Sequence, residues 1–378
     1  MIVEERGLVY DAINAPADRR VAFFTSLCSL EPGTILCGFQ VGSGKHSPDS
    51  TLGLCQSRDR GATWQQIPAR FDTTIDGVPG SLSAPTVLEI ENGRLQLFAT
   101  WFDRGDPGRP LFDPVTEGIL HSKLLGAVSD DRGETWSPWH VLATPGLSGC
   151  ALAGPVIRWS DGTIALAFES FKEFDDPRPA EHGSWLIVSR DRGRTFGAPV
   201  LLAPRHEVYY WDARLCAAER PGEFVALYWT HDRAGHRDLD VHLRRGRIEG
   251  TAVVGRPVGP TTIRGQIAAP LVVDDRRLLA FVVDRRRPGT MKLWLSRDGG
   301  NSWPPADCLL VHAHQERAAV TQGTENVDFA EYWEDMGKWS FGHPAICRLD
   351  HQRVLLAFYS GEPDSMSIHW ARVNLLGK

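Results

Sequence analysis

Residues 57–64 read SRDRGATW, and the same octapeptide pattern returns as SDDRGETW at 129–136, SRDRGRTF at 189–196 and SRDGGNSW at 296–303. In every copy Ser, Asp, Gly, Thr or Ser, and an aromatic residue keep the same offsets. The first three copies start 72 and 60 residues apart, whereas the fourth starts 107 residues after the third, close to two periods. One intervening copy has therefore decayed, and the pattern predicts a repeat architecture.

A second repeat makes up the body of each unit. It consists of a short apolar segment, a polar turn and another apolar segment, which is typical of a β-hairpin. Four copies begin at a proline step, at Ala84-Pro85, Gly154-Pro155, Ala269-Pro270 and His343-Pro344, and two proline-free copies occupy 21–40 and 213–230. A third apolar segment follows in five units and runs directly into the octapeptide in four of them.

Six such units predict an all-β fold, a six-bladed β-propeller with four-stranded blades, because closing sheets into a ring avoids long exposed strand edges. The last unit ends at 365–375, SMSIHWARVNL, without room for a fourth strand. The N-terminal segment 5–13, ERGLVYDAI, is predicted to supply that strand and close the ring. We expect one propeller domain over residues 1–378.

The octapeptide resembles the Asp box of the sialidase (neuraminidase) superfamily, and the resemblance covers nearly the whole chain. It implies a six-bladed propeller with the boxes on its outer rim. The box carboxylates are Asp59, Asp131, Asp191 and Asp298. Four equivalent copies cannot all lie at one active centre, so we interpret these residues as structural: Asp accepts backbone N–H groups and Gly supplies permissive dihedral angles.

Composition excludes several classes of function. The 378-residue chain has a net charge of −6, which does not favour nucleic acid as a partner. No apolar run approaches the ~18 residues that span a bilayer, and the N-terminus lacks an apolar leader, so we expect no membrane association and a cytoplasmic location. Seven scattered Cys argue against a disulfide framework or a metal site. We expect no cofactor, and a homo-oligomer remains compatible with the sequence.

Candidate site residues lie just before each innermost strand and just after each second strand, because these positions line the central mouth of a propeller. They are rich in Arg, His, carboxylates and aromatic residues, which suit a carbohydrate. The candidate catalytic residues are Asp49, Asp212, Glu169 and His343. The candidate substrate-binding residues are Arg20, Lys45, Trp211, His231, Arg233, Gln266, Arg285, Phe341 and Tyr359.

The sialidase resemblance implies three Arg that hold the substrate carboxylate, a Tyr/Glu nucleophilic pair and an Asp acid/base. Arg20 precedes the first inner strand, where the first Arg is expected, and Arg285 matches an Arg of the fifth blade. Asp49 matches the acid/base Asp. Asp212 opens the fourth inner strand, where the Glu is expected.

The chain departs from this family pattern in two places. The Arg of the fourth blade should follow VALYWT, but Thr230, His231 and Asp232 stand there and Arg233 lies beyond them. The nucleophilic Tyr should open the sixth inner strand, but Phe341 is predicted to take its place, and Phe cannot form a glycosyl-enzyme. Tyr332 or Tyr359 are the alternatives from nearby segments.

Three functions follow from these observations. The first is an exo-acting glycoside hydrolase for an anionic or modified sugar, with Asp49 as general acid and Asp212 or Glu169 as base or nucleophile. The second is a polysaccharide lyase acting on a uronate, with His231, His236 or His343 as base. The third is a non-catalytic glycan-binding propeller.

A long polar insertion at 312–340 is interpreted as either a cover over the mouth or a subunit contact.

Overall fold

The computed structural model describes residues 1–30, 33–179, 181–204, 208–286, 288–314 and 336–377. Numbered along the chain, an N-terminal strand and the strands of the first two blades are β1 (Ile2–Tyr10), β2 (Val21–Leu30), β3 (Thr34–Gly42), β4 (Thr51–Ser57), β5 (Gln65–Ile67), β6 (Thr74–Ile75), β7 (Val78–Glu91), β8 (Arg94–Asp103), β9 (Ser122–Ser129) and β10 (His140–Leu142).

The middle two blades contain β11 (Ala151–Leu152), β12 (Ile157–Arg158), β13 (Ile164–Ser170), β14 (Gly183–Ser189), β15 (Val200–Leu201), β16 (Val208–Ala217), β17 (Glu223–Asp232), β18 (Arg237–Asp238), β19 (His242–Glu249), β20 (Ala252–Gly255) and β21 (Gly259–Pro260). The last two contain β22 (Ala268–Val272), β23 (Leu278–Asp284), β24 (Gly289–Ser296), β25 (Cys308–His314), β26 (Phe341–Arg348), β27 (Arg353–Glu362) and β28 (Ser365–Asn374).

The predicted six-bladed, all-β fold is confirmed, including its closure. Each blade is an antiparallel meander, and β1 pairs antiparallel with β28 as the outer strand of the sixth blade. A bridge between Val21 and Met366 joins the sixth blade to the first. The N-terminal segment therefore closes the ring as the sequence indicated.

Helical structure in the described residues is limited to two 3₁₀ turns, at Ala17–Arg19 and Pro305–Asp307, and one helical turn at 336–338. No helix in the described ranges is both long and apolar enough to cross a membrane. The predicted insertion at 312–340 falls largely on residues 315–335, which lie outside the described residues, as does Tyr332.

Each octapeptide forms a closed turn at the end of a third strand. In the third copy, Asp191 accepts hydrogen bonds from the Thr195 N–H at 2.9 Å and the Thr195 hydroxyl at 2.6 Å. Ser189 Oγ lies 2.8 Å from Asp191 Oδ1 and accepts the Gly193 N–H at 2.7 Å. These hydrogen bonds, with the Thr195 hydroxyl the largest contribution, lower the pKa of Asp191 to about 2. The box carboxylates are therefore part of the turns.

The innermost strands carry the feature that places the site. In blades one, two, four and six the strand register shifts after Phe23, Ser83, Trp211 and Gly342 respectively. In each blade the next residue has a left-handed backbone, with φ of 54° at Phe24, 49° at Ala84, 47° at Asp212 and 52° at His343. Such β-bulges redirect one side chain, and here they direct these four residues to the central cavity.

Candidate functional site

A cavity at the centre of the ring brings together residues from all six blades. Its volume is about 90 Å³. One ordered water needs about 10–15 Å³, so the cavity has room for several waters or a small ligand group. Blades two and three provide an apolar wall, formed by Phe102, Leu111, Phe112, Ile119, Leu152 and Phe171.

The ionisable groups lie on the other side, on blades four to six and the first blade, with Glu169 at the end of β13. Asp212 and Glu169 form a neighbouring carboxyl pair, and the Asp212 backbone N–H donates to Glu169 Oε1 at 2.5 Å. Burial, followed by the charge of Glu169, raises the pKa of Asp212 to about 7, while Arg214 and Arg285 oppose the rise. Asp212 therefore exchanges a proton near neutral pH.

His343 lies beside this pair on the bulge of blade six. Its Nε2 is 3.9 Å from Asp212 Oδ1, and its Nδ1 is 2.6 Å from Arg214 Nη2. Burial, reinforced by the nearby cations Arg214 and Arg285, lowers the pKa of His343 well below its ordinary value. The imidazole is therefore neutral at physiological pH.

Arg285 is a buried cation, and its guanidinium is held from several directions. Its Nη1 donates to Gln266 Oε1 at 2.7 Å, its Nη2 donates to the Phe341 carbonyl at 3.2 Å, and its guanidinium lies 4.0 Å from the centre of the Trp339 ring. Gln266 in turn donates to Asp238 Oδ2 at 3.1 Å. Arg285 Nε is buried and has no hydrogen-bond partner in the described part of the chain. A buried guanidinium with an unused donor suits an anionic ligand group.

Lys45 and Tyr359 complete the polar side of the cavity. Lys45 Nζ donates to the carbonyls of Met336 and Trp339, each at 2.7 Å, and lies 3.1 Å from the Tyr359 hydroxyl. Burial, with a contribution from Arg285, lowers the pKa of Lys45 well below its ordinary value, although its three acceptors favour the charged amine. Lys45 thus anchors the chain at 336–339 beside the cavity.

The structure brings seven of the thirteen sequence-predicted site residues to the cavity wall: Lys45, Glu169, Trp211, Asp212, Arg285, His343 and Tyr359. Three others support that wall from behind. Gln266 and the Phe341 carbonyl hold Arg285, and His231 stacks on Trp211 with ring centres 5.2 Å apart. Arg233 instead covers the Tyr209 ring at 4.5 Å and lines a separate outer cleft.

Asp49 and Arg20 do not reach the cavity. The Asp49 carboxylate accepts the Ser43 N–H at 3.2 Å and the Ser43 hydroxyl at 3.0 Å in an exposed loop. Desolvation alone raises the pKa of Asp49, but hydrogen bonds from Ser47 and Ser43 outweigh it, so the pKa is lowered. Arg20 is exposed, and its Nε donates to the Ala15 carbonyl at 3.3 Å. The structure thus gives no support to Asp49 as the acid or to Arg20 as a ligand-binding Arg.

Two positions inferred from the family pattern need correction. On the innermost strand of blade one, Phe23 and Phe24 line the cavity, and Arg20 does not. On the innermost strand of blade six, His343 lines the cavity, whereas the Phe341 side chain packs against His314 with ring centres 4.4 Å apart. Arg20 precedes the start of β2, and Phe341 precedes the bulge of β26, whereas the bulges give the inward positions to Phe24 and His343. In blades two and six the inward residue directly precedes the repeat proline, at Ala84-Pro85 and His343-Pro344.

The sequence-based prediction missed Arg214 and Asp238. Arg214 contacts His343, and Asp238 supports Gln266. His46, which follows the second strand of blade one, also lines the cavity. Burial, together with Lys45 and Arg104, lowers the pKa of His46 to about 3. Within the described ranges, no three His, Cys, Asp or Glu side chains are grouped so as to hold a metal ion.

Comparisons with known proteins give structural matches only. No protein-family model and no curated protein matches the chain. The Hadza microbial sialidase Hz136 matches with a TM-score of 0.70 and 20% identity, over 98% of this chain and 68% of that one. The intramolecular trans-sialidase from Ruminococcus gnavus matches with a TM-score of 0.62 and 15% identity, over 99% of this chain and 98% of that one.

A protein of unknown function from Dyadobacter fermentans DSM 18053 matches equally broadly, with a TM-score of 0.69 and 18% identity over 99% of this chain and 98% of that one. At these identities the likeness concerns the fold, because one fold hosts many functions. The chain therefore has the six-bladed β-propeller fold of sialidases.

Proposed function

We propose that the protein is a glycoside hydrolase that cleaves the bond to an anionic sugar in the central cavity. The observation that carries this proposal is the buried pair of Asp212 and Glu169 beside Arg285. A carboxyl group with a pKa near the working pH is suited to general acid–base catalysis. Two neighbouring carboxyl groups are the usual requirement for glycosidic cleavage.

Asp212 is the proton-transferring residue in this proposal. Near neutral pH part of the population is protonated, so Asp212 can give a proton to the departing glycosidic oxygen. The carboxylate then accepts a proton from the water that attacks the anomeric carbon. Space for that water is present in the cavity. Glu169 provides the adjacent negative charge that raises the pKa of Asp212.

Arg285 provides recognition of the anionic group. In the described part of the chain it is the one Arg that lines the cavity, since Phe24 occupies the blade-one position and Arg20 points elsewhere. A three-Arg clamp is therefore not assembled from the described residues. The apolar wall from blades two and three suits a sugar with an apolar face or substituent. The fold neighbours support a carboxylate ligand, because one is described in complex with oseltamivir carboxylate.

The lyase hypothesis receives less support from the geometry. Of the three histidines that this hypothesis names as the base, His343 lines the cavity, but it uses Nδ1 to accept a hydrogen bond from Arg214. His231 and His236 are not among the described cavity-lining residues. The binding-only hypothesis leaves the raised pKa of Asp212 without a use, and strongly perturbed groups in cavities are typical of functional sites.

A fluorogenic glycoside panel tests the proposal. We would compare 4-methylumbelliferyl glycosides of N-acetylneuraminic acid and glucuronic acid with the neutral glucoside as matched control. We expect turnover of an anionic glycoside, none of the glucoside, and a loss in kcat of about 10²–10⁴-fold in D212N. Equal turnover of neutral and anionic glycosides, or full activity in D212N, would contradict the proposal.

A further inference from the structure

Arg214 determines which nitrogen of His343 carries the proton. Arg214 Nη2 lies 2.6 Å from His343 Nδ1, and Arg214 Nη1 donates to the Pro344 carbonyl at 3.0 Å. Both contacts bridge blades four and six, and both side chains are buried. A guanidinium has donors but no acceptor, so His343 Nδ1 must accept. The neutral imidazole then has its hydrogen on Nε2.

The Nε2–H of His343 lies near the proton-transferring carboxyl. Nε2 lies 3.9 Å from Asp212 Oδ1, which is too long for a direct hydrogen bond. The gap allows one oxygen atom to contact both groups. The other ionisable groups around His343 are Arg214, Arg285, Lys45 and His46. They are cationic or basic, which disfavours a second proton on the ring.

We propose that Arg214 is a positioning residue that locks His343 as an Nε2–H donor, and that His343 and Asp212 together hold the oxygen that leaves during cleavage. His343 acts as a hydrogen-bond donor and transfers no proton. The carbon–oxygen bond breaks with its electron pair on the departing oxygen, which takes the Asp212 proton. Water then bonds to the anomeric carbon and returns a proton to Asp212. This cleavage step rests on the proposed function, whereas the assignment of the Nε2–H tautomer to His343 does not.

The tautomer can be measured without a substrate. We would label the protein with ¹⁵N-histidine, record two-bond ¹⁵N–¹H correlation spectra between pH 5 and 8, and assign His343 from the signal lost in H343Q. We expect an unprotonated Nδ1 and a protonated Nε2 throughout this range. A proton on Nδ1, or titration of the ring within the range, would overturn the inference. In R214M we expect the tautomers to mix, and an unchanged spectrum there would also overturn it.

A matched pair of variants tests the role in catalysis. The Gln amide of H343Q retains a donor at the Nε2 position, whereas the shorter Asn of H343N reaches only the Nδ1 position. We expect H343Q to keep kcat within about 10-fold and H343N to lose about 10²–10³-fold, the usual cost of removing one oriented donor. Equal, complete loss in both folded variants would show a base or nucleophile instead.

The two proposals fail in different ways. An Nε2–H tautomer in a protein that turns over none of the anionic glycosides would contradict the proposed function and leave the Arg214 lock intact. Turnover of an anionic glycoside by a protein with a proton on Nδ1 would contradict the lock and leave the hydrolase intact.

Discussion

Replacing Asp212 with Asn should change how stability depends on pH. The pKa of Asp212 rises from 3.8 to about 7 in the folded protein, mainly through burial. Between these two values the folded chain holds a proton that the unfolded chain has released. The stability associated with this proton is fully present below the unfolded pKa and is lost as pH rises through the folded pKa. Asn carries no titrating group, so D212N lacks this loss.

The size of this change in the free energy of unfolding follows from the pH range of the measurement. From pH 5 to 8.5, the pH rises through about 2 units below the folded pKa of Asp212, and each unit corresponds to about 1.4 kcal/mol. The wild type therefore loses about 3 kcal/mol of stability relative to D212N. The Asp212 side chain is only 18% exposed, so solvent screening reduces this figure little. We therefore expect the stability of D212N minus that of the wild type to grow by about 3 kcal/mol between these pH values.

Urea unfolding of both proteins at pH 5 and 8.5 measures this difference, followed by tryptophan fluorescence. D191N is the matched control, because the pKa of Asp191 is lowered to about 2 and its contribution is lost only on strong acidification. The difference between D191N and wild type should be the same at both pH values. If the D212N difference also stays constant, the raised pKa of Asp212 and the acid–base role built on it are both refuted.

Three further predictions concern the cavity. In pH–rate profiles kcat should fall above about pH 7, since Asp212 must be protonated to act as the acid, and a profile flat to pH 9 would contradict this. R285K should raise KM for an anionic glycoside at least about 10-fold, because Lys cannot reproduce the planar contacts with Gln266 and Trp339. Steady-state kinetics would show an unchanged KM if Arg285 does not bind the anion. G342A should lower kcat/KM at least about 10-fold, because the added Cβ would lie 2.3 Å from Arg285 Nη2 and the backbone φ at this position is +142°. G337A is the control: its added Cβ would have no atom within 4 Å, so this variant should behave as wild type.

Most of the fold could be predicted from the sequence because its elements are local and repeated. The octapeptide fixes the end of each third strand through hydrogen bonds among residues no more than four apart, such as Asp191 with Thr195. The hairpins that follow each proline step define the inner strands. Closure by the N-terminal segment followed from counting strands in the last unit, and the structure confirms it.

The candidate site could be predicted only in part, because small shifts of register decide which side chains face inward. A bulge adds one residue to a strand, and a one-residue slip exchanges the two faces. The register shifts after Phe23 and Gly342 bring Phe24 and His343 to the cavity wall. Arg20 lies before its strand begins, and the Phe341 ring packs against His314, so neither is among the residues that line the cavity. The contact between Arg214 and His343 joins residues 129 positions apart, which no local pattern reveals.

Mass spectrometry of reaction products formed in ¹⁸O water tests the central claim most directly. Wild type and D212N would be incubated with sialosides and uronate-containing oligosaccharides. If the cavity hydrolyses anionic glycosides, the wild type will release an anionic sugar that carries one heavy oxygen, and D212N will release it at least about 100-fold more slowly. An unlabelled, unsaturated sugar, or a labelled product formed equally fast by D212N, would contradict the account.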